Sequence, residues 1–94
     1  KMTSQPVLVQ GAGSWGTALA LVLARNHHQV YLWDINLEMI REIKLVRYNR
    51  KYLPEIKIPK NVFPIEEVKE VQSKPIKIEE QSPAQIINTF ESNS

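Results

Sequence analysis

Residues 6–16 have the sequence Pro6-Val7-Leu8-Val9-Gln10-Gly11-Ala12-Gly13-Ser14-Trp15-Gly16. The apolar, β-branched run before Gly11 is typical of a buried strand in a parallel sheet, and the apolar spacing from Ser14 to about Asn26 is that of a helix. The three glycines at this junction are all that the 94-residue chain contains, whereas average composition predicts roughly seven. Glycine concentrated at one strand-to-helix junction indicates that the junction needs residues without a side chain.

Each of these glycines has a separate physical reason in a loop that binds a dinucleotide. Gly11 allows the tight turn out of the strand, Gly13 lets the backbone approach a pyrophosphate, and Gly16 lets the helix pack close to the sheet. The helix N-terminus then offers free N–H groups and the positive end of its dipole to the anion. The alternative is a glycine turn that binds no ligand.

A second predicted strand, Gln29 to Asp34, ends in an acid. Asp34 lies 18 residues after Gly16, close to the roughly 20 expected for the acid that binds the ribose hydroxyls of a dinucleotide. Because a carboxylate there repels a 2′-phosphate, NAD is favoured over NADP. The alternatives are an exposed aspartate at a strand end or a charge at the next helix N-terminus. The order strand, glycine loop, helix, strand and acid predicts an α/β fold. It is that of a Rossmann-like dinucleotide-binding βαβ unit with parallel strands, incomplete at its C-terminal side.

The following segments are predicted from helix caps and prolines. Asn36 can cap a second helix from about Leu37 to Arg50. Three prolines make residues 51–64 an extended loop, and residues 65–71 are predicted as a short helix.

Two units are predicted. Residues 5–72 form the N-terminal part of an NAD-binding Rossmann domain. Residues 73–94 lack a sustained apolar pattern and are an unassigned tail, with an edge strand over residues 74–79 and a short helix that begins at Ser82-Pro83.

Composition excludes several functional classes. With no cysteine, disulfides, thiol catalysis and cysteine-based metal sites are absent. The longest apolar run, residues 18–24, is far shorter than the roughly 20 residues that a membrane span needs. No basic and apolar leader opens the chain, so we expect a cytoplasmic location. His27-His28 is interpreted as a solvent-exposed loop pair, because no third metal ligand is near in sequence, and no metal site is predicted.

Positive charge is concentrated in residues 41–60, which hold seven bases and two acids. Such an excess could attract phosphorylated ligands or nucleic acid. Few aromatic residues are interleaved with these bases for stacking on nucleotides. This favours a solvated helix face and loop, and nucleic acid is not an expected partner.

Three runs of the sequence resemble the start of bacterial NAD(P)-dependent glycerol-3-phosphate dehydrogenases. They are residues 11–20, which contain the glycines and the Ser-Trp pair and are followed by Leu23-Ala24-Arg25-Asn26; the second strand Val30-Tyr31-Leu32-Trp33; and Asn49-Arg50-Lys51-Tyr52-Leu53-Pro54. The resemblance covers residues 5–70. Asp34-Ile35 departs from the family, which often has a small and then a basic residue there, and this supports NAD. The family usually has glycine in place of His27, so Asn26 or His27 must make that turn.

The resemblance implies an oxidoreductase that interconverts sn-glycerol 3-phosphate and dihydroxyacetone phosphate for phospholipid synthesis in the cytoplasm; a homodimer is considered as its assembly. It also implies that Ser14 and Trp15 contact the cofactor and that Tyr52 helps to line its site. A hydrophobic anchor for the proline loop is the alternative for Tyr52.

The family's third strand, catalytic lysines and C-terminal domain have no recognised counterpart in the sequence. No catalytic residue is therefore predicted, and we expect a fragment that is inactive alone. The alternative function is a non-catalytic NAD-binding or self-associating module. The predicted cofactor-binding residues are Gly11, Gly13, Ser14, Trp15, Gly16, Asp34 and Tyr52.

Overall fold

The computed structural model describes residues 5–71 and 74–79, which contain a parallel sheet with helices. The strands are β1 (Val7–Gln10), β2 (Val30–Trp33), β3 (Val62–Pro64) and β4 (Ile76–Glu79). The helices are α1 (Ser14–Arg25) and α2 (Leu37–Val46), with a single 3₁₀ turn over Val68–Glu70. The strand order is β3-β2-β1-β4. This arrangement confirms the predicted Rossmann-like α/β fold.

The hydrophobic core lies between one face of the sheet and the two helices. Side chains alternate between the faces of a strand, and Val7, Val9, Val30 and Leu32 share the face that packs against both helices. These four side chains have no exposed surface. Burial of this face stabilises the layer and places the carboxyl ends of β1 and β2 side by side.

Helix α2 ends one turn earlier than predicted. Arg47 adopts the left-handed conformation with φ 64°, and its guanidinium donates to the carbonyl oxygens of Ile58, Pro59 and Val62. The Ile58 N–H donates in return to the Arg47 carbonyl at 2.8 Å. Burial lowers the pKa of the Arg47 guanidinium. These long-range bonds, which helical spacing does not reveal, end the helix and fix the connection to β3.

Two expectations about the segment after α2 are wrong. The loop predicted over residues 51–64 ends in strand β3, so the third strand does have a counterpart in this chain. Val62 pairs with Val30 and Pro64 with Leu32, and proline is tolerated because β3 has one strand neighbour in the described sheet. The short helix predicted over residues 65–71 is limited to the 3₁₀ turn.

The strand predicted over residues 74–79 is present as β4, at an edge of the described sheet. It pairs with β1 from Val7 opposite Ile76 to Gln10 opposite Glu79. Part of the predicted tail, residues 73–94, thus contributes to the sheet. The helix predicted to begin at Ser82 lies outside the described residues. Within those residues, no helix is long and apolar enough to cross a membrane.

The C-terminal end of α1 is closed by several hydrogen bonds. His27, and not Asn26, takes the left-handed conformation, with φ 69°. The Asn26 N–H and side-chain Nδ2 donate to carbonyls of the last helical turn, and the His27 N–H donates to the Ala24 carbonyl at 3.0 Å. Asn61 Nδ2 donates to the carbonyls of Ala24 and His28 at 2.8 and 3.0 Å. The last carbonyls of the helix are therefore well supplied with donors.

Candidate functional site

The glycine loop, residues 11–16, leaves the carboxyl end of β1 and enters α1. Gly11 has φ 127°, which is favourable only for glycine. Its N–H donates to the Trp33 carbonyl at 2.7 Å. This bond extends the contact between β1 and β2 by one residue and fixes the point at which the loop departs, in agreement with the tight turn predicted at Gly11.

The N-terminus of α1 has neither a side-chain cap at Gly13 nor an acidic residue in its first turn. Gly13 is the N-cap, with φ −77° and ψ −166°, and the first turn contains no acid. This backbone conformation suits any residue, so the absence of a side chain at Gly13 matters for space. In the described chain, the N–H groups of Ser14 and Trp15 have no hydrogen-bond partner. The helix therefore presents the positive end of its dipole.

Asp34 lies beside the glycine loop, where two backbone amides fix its carboxylate. Oδ2 accepts from the Ala12 N–H at 2.7 Å and Oδ1 from the Asn36 N–H at 2.8 Å. Asn36 also caps α2 as predicted, because its side chain accepts from the Met39 N–H at 3.2 Å. An ionised carboxylate accepts about four hydrogen bonds, so each Asp34 oxygen retains capacity for a further donor.

Asn49 is buried behind the glycine loop and was given no role by sequence reasoning. Its side chain is 1 % exposed. Nδ2 donates to the Ala12 carbonyl at 2.8 Å and to Thr17 Oγ1 at 2.9 Å, and Oδ1 accepts from the Tyr52 N–H at 3.3 Å. The one local signal was an asparagine, a poor helix former, inside a predicted helix. Its partners lie 37 and 32 residues away, so that signal does not identify them.

Tyr52 reaches the glycine loop through its backbone, by way of Asn49. Its side chain is 40 % exposed, and the Lys51 ammonium lies 5.2 Å from the centre of its ring. Leu53, one residue further on, packs against the hydrophobic core. Leu53 therefore anchors this segment to the core, and the Tyr52 ring lies partly exposed beside Lys51.

The remaining predicted residue, Gly16, is buried within α1, in agreement with close packing of the helix. Two tryptophans lie near this end of the sheet in different environments. Trp15 is 39 % exposed on the first turn of α1. Trp33 is half-buried, and its indole N–H donates to the Glu66 carbonyl at 3.0 Å.

The positive charge of residues 41–60 is partly compensated by ion pairs. Arg41 and Lys44 lie 3.1 and 3.5 Å from the Glu66 carboxylate, and Arg50 lies 3.6 Å from Glu42. The hydrogen bond from Arg41 lowers the pKa of the Glu66 carboxyl, and the positive charges of Arg41 and Lys44 act in the same direction. Three of the seven bases, Arg41, Lys44 and Arg50, are thus paired with acids at the surface of the described chain.

The two histidines after α1 differ in exposure. His27 is exposed, whereas His28 is half-buried, and no hydrogen bond to His28 Nδ1 occurs within the described chain. Across residues 5–71 and 74–79, no three side chains of histidine, aspartate or glutamate come together in a way that could hold a metal ion.

The family comparison agrees with the geometry of this loop. The model of the NAD-dependent glycerol-3-phosphate dehydrogenase N-terminus matches residues 6–90. The chain belongs to this family. The match includes the glycine loop, Asp34, Asn49 and Tyr52, and also β4, so all the residues gathered around the loop fall within the family's N-terminal region.

Two curated relatives are bacterial. Glycerol-3-phosphate dehydrogenase (NAD(P)+) of Geobacillus thermodenitrificans is 54 % identical over 57 residues, which are 61 % of this chain and 17 % of the relative. The enzyme of the same name from Bartonella henselae is 48 % identical over 63 residues, which are 67 % of this chain and 18 % of the relative. The matched part of the chain thus spans about a sixth of the length of these relatives.

Two solved structures share the fold. The crystal structure of glycerol-3-phosphate dehydrogenase from Coxiella burnetii is similar with a TM-score of 0.74 and 36 % identity, covering 80 % of this chain and 23 % of that one. Glycerol-3-phosphate dehydrogenase of Plasmodium falciparum has a TM-score of 0.68 at 20 % identity, covering 98 % of this chain and 29 % of that one. The second similarity supports the fold alone.

Proposed function

We propose that the glycine loop and Asp34 bind NAD, as the cofactor-binding part of a glycerol-3-phosphate dehydrogenase. One observation carries this proposal: the N-terminus of α1 lies beside a carboxylate that accepts from the Ala12 N–H at 2.7 Å. A pyrophosphate fits the positive helix end, and the ribose hydroxyls of a dinucleotide fit the carboxylate. Membership of the family supports the same ligand.

The predicted binding residues divide into two roles. Gly11 and Gly16 act through the turn and the packing of α1. Gly13 leaves space for a pyrophosphate, while Ser14 and Trp15 offer N–H groups and exposed side chains next to it. Tyr52 adds an exposed ring on the segment that Asn49 fastens to the loop. The nicotinamide, when bound, supplies the hydride chemistry, and these residues bind and orient the cofactor.

The surroundings of Asp34 favour NAD over NADP. Its two amide contacts restrict rotation of the carboxylate, so its charge stays where it repels a 2′-phosphate. Arg41 and Lys44, the bases on the helix after Asp34, are paired with Glu66. Their engagement makes them poorly suited to compensate the charge of a 2′-phosphate.

The full reaction is also part of the proposal. We infer the interconversion of sn-glycerol 3-phosphate and dihydroxyacetone phosphate, for phospholipid synthesis in the cytoplasm, by an enzyme that forms a homodimer. Residues 5–72 would be the N-terminal part of its cofactor domain, to which the segment from residue 73 adds β4. Hydride transfer requires donor and acceptor to be held close together, and we assign no catalytic residue within the described chain. The 94-residue chain alone is expected to bind NAD without turnover, and oxidation of NADH with dihydroxyacetone phosphate would contradict this.

Calorimetric titration of the chain with NAD and with NADP tests the proposal. We expect tighter binding of NAD, and we expect Asp34→Ala to narrow the preference by about tenfold, equivalent to about 1.4 kcal/mol. Glu55→Gln is the control for loss of a carboxylate, because Glu55 is exposed and has no hydrogen bond or ion pair among the described residues. Equal affinity of the wild type for both dinucleotides, or an unchanged ratio in Asp34→Ala, would overturn the assignment.

A second candidate function is self-association as a non-catalytic module. In the described sheet, β3 has one strand neighbour, and the exposed edge of such a strand can pair with another chain. Light scattering separates the two candidates. Particles that grow with concentration and do not bind NAD favour self-association, whereas a stable monomer that binds NAD argues against it.

A further inference from the structure

We propose that Asn49 is a positioning residue that sets the direction of the Gly13 N–H by holding the Ala12–Gly13 peptide group. The inference rests on the proposed function, in which this N–H faces the pyrophosphate. Nothing in the local sequence around the glycine loop shows which group orients it. The structure places that group in the segment after α2, 37 residues away from the carbonyl to which it donates.

The geometry follows from a single peptide group. The Ala12 carbonyl and the Gly13 N–H belong to the same planar trans peptide, so they point in opposite directions. Because the Ala12 carbonyl accepts from Asn49 Nδ2 at 2.8 Å, the Gly13 N–H points away from the buried asparagine. The preceding peptide is held as well, since the Ala12 N–H donates to Asp34. Side chains from two distant segments thus fix the two peptides that flank Ala12.

The Asn49 amide fits this environment in one orientation. Nδ2 uses both hydrogens, on the Ala12 carbonyl and Thr17 Oγ1, and Oδ1 accepts from the Tyr52 N–H. Rotating the amide by half a turn would set its oxygen against the Ala12 carbonyl and its NH₂ against the Tyr52 N–H. Both contacts are repulsive, and the side chain is buried away from water. Asn49 therefore holds a defined peptide orientation.

The flexibility of Gly13 explains why a support is needed. Reversing the Ala12–Gly13 peptide requires rotation about the bonds on either side of it, and glycine allows such rotations more readily than other residues. The same absence of a side chain that admits a pyrophosphate therefore leaves the peptide free to turn. In the reversed orientation the Ala12 carbonyl, with its negative end, would face the bound anion.

The chain contains a matched control at the other end of α1. Asn61 also donates through Nδ2 to two acceptors, the carbonyls of Ala24 and His28. Asn49 and Asn61 both follow α2 and both fasten that part of the chain to α1 or its flanking turn. Only Asn49 contacts the glycine loop, so a purely structural role predicts similar consequences for loss of either side chain.

Two readouts on the 94-residue chain test the inference, one without ligand and one with NAD. In the absence of ligand, we expect Asn49→Ala to shift the amide resonance of Gly13, whose N–H shares a peptide group with the Ala12 carbonyl, while Asn61→Ala leaves that resonance unchanged. By calorimetry, we expect Asn49→Ala to weaken NAD binding about tenfold and Asn61→Ala to leave it within about twofold. Equal effects of the two substitutions, or an unchanged loop in folded Asn49→Ala, would overturn the inference.

The ligand-free readout separates this inference from the proposed function. A wild-type chain that does not bind NAD contradicts the proposed function, and the Gly13 amide resonance in the two variants then decides the role of Asn49 by itself. If Asn49→Ala does not fold, the wild type supplies the measurement: a through-hydrogen-bond coupling between Asn49 Nδ2 and the Ala12 carbonyl carbon. Observation of this coupling supports the inference, and its absence overturns it.

Discussion

The two ends of α1 differ in how their backbone groups are hydrogen-bonded. At the C-terminal end, Asn26, His27 and Asn61 donate to carbonyls of the helix and its turn. At the N-terminal end, Gly13 supplies no capping side chain, and the N–H groups of Ser14 and Trp15 have no partner in the described part of the chain. Within the described residues, α1 therefore has paired carbonyls at its C-terminal end and two unpaired N–H groups, those of Ser14 and Trp15, at its N-terminal end.

The two ends differ in which backbone groups receive hydrogen bonds from distant side chains. At each end an asparagine from the segment after α2 donates a hydrogen bond. Asn61 donates to a carbonyl of the helix, whereas Asn49 donates to a carbonyl of the glycine loop. The N–H groups of Ser14 and Trp15 remain unpaired within the described residues. Because unsatisfied backbone groups at helix ends are normally capped or solvated, a supported loop in front of uncapped amides is the arrangement expected of an anion site.

Gly11→Ala should produce the largest effect, because it distorts the turn that leads into the N-terminal end of α1. At φ 127° a Cβ meets the backbone, so we expect a loss of about 1–3 kcal/mol in the free energy of unfolding, measured by urea denaturation. Gly13→Ala is the matched control, because its backbone conformation admits alanine. Equal losses in the two variants would show that Gly11 carries no special strain.

Gly13→Ala should instead separate binding from stability. We expect NAD affinity to fall about tenfold, because the added methyl group occupies space needed by the pyrophosphate, while the free energy of unfolding stays within about 0.5 kcal/mol of wild type. Calorimetry and denaturation of the same preparation check both. Wild-type affinity in this variant would show that the anion does not approach Gly13.

Asn61→Ala tests the closed end. Loss of its two hydrogen bonds leaves the Ala24 carbonyl with the His27 N–H as donor and deprives the His28 carbonyl of its Asn61 donor, and we expect a destabilisation of about 1 kcal/mol. NAD affinity should not change, because the glycine loop is untouched. A loss of affinity comparable with that of Asn49→Ala would mean that the two ends are not independent.

Acid titration of Glu66 should give the smallest effect. Its hydrogen bond from Arg41 holds the pKa of the carboxyl below its ordinary value of 4.5. The contribution of ionised Glu66 to the free energy of unfolding is therefore complete above the unfolded-state pKa. It is lost as the pH falls through the lower folded-state pKa. We expect Glu66→Gln to remove this part of the acid dependence of the thermal midpoint, without altering NAD affinity at neutral pH. An identical acid dependence in the variant would contradict the role of this pair.

Local patterns predicted the first half of the unit well. The run before Gly11, the helix from Ser14, the second strand and the Asn36 cap each depend on neighbours in sequence, and each is present. Even the proximity of Asp34 follows, because parallel neighbouring strands end at the same edge. The resemblance of residues 49–54 to the family also pointed to the segment that contacts the loop.

Distant contacts account for what sequence reasoning missed. Helix α2 ends early because Arg47 bonds to carbonyls 11 to 15 residues ahead, and β3 is short and contains a proline. No feature of the sequence around Asn49 predicts that its side chain bonds to Ala12. The end of α2, the position of β3 and the Asn49 contact each depend on which distant segments meet after folding. Hydrophobic periodicity and turn propensity describe neighbours in sequence and do not predict such contacts.

The contrast between the two tryptophans gives the chain a pair of optical reporters. Trp15, on the first turn of α1, is accessible to a collisional quencher, whereas Trp33 is half-buried and its indole is tied to the Glu66 carbonyl. Since these are the two tryptophans of the sequence, Trp33→Phe leaves Trp15 as the single tryptophan, whose emission is separated from that of the three tyrosines by exciting at a wavelength that tyrosine does not absorb. Quenching of that signal by acrylamide, a neutral quencher that does not compete for an anion site, then reports occupancy of the loop without any attached dye.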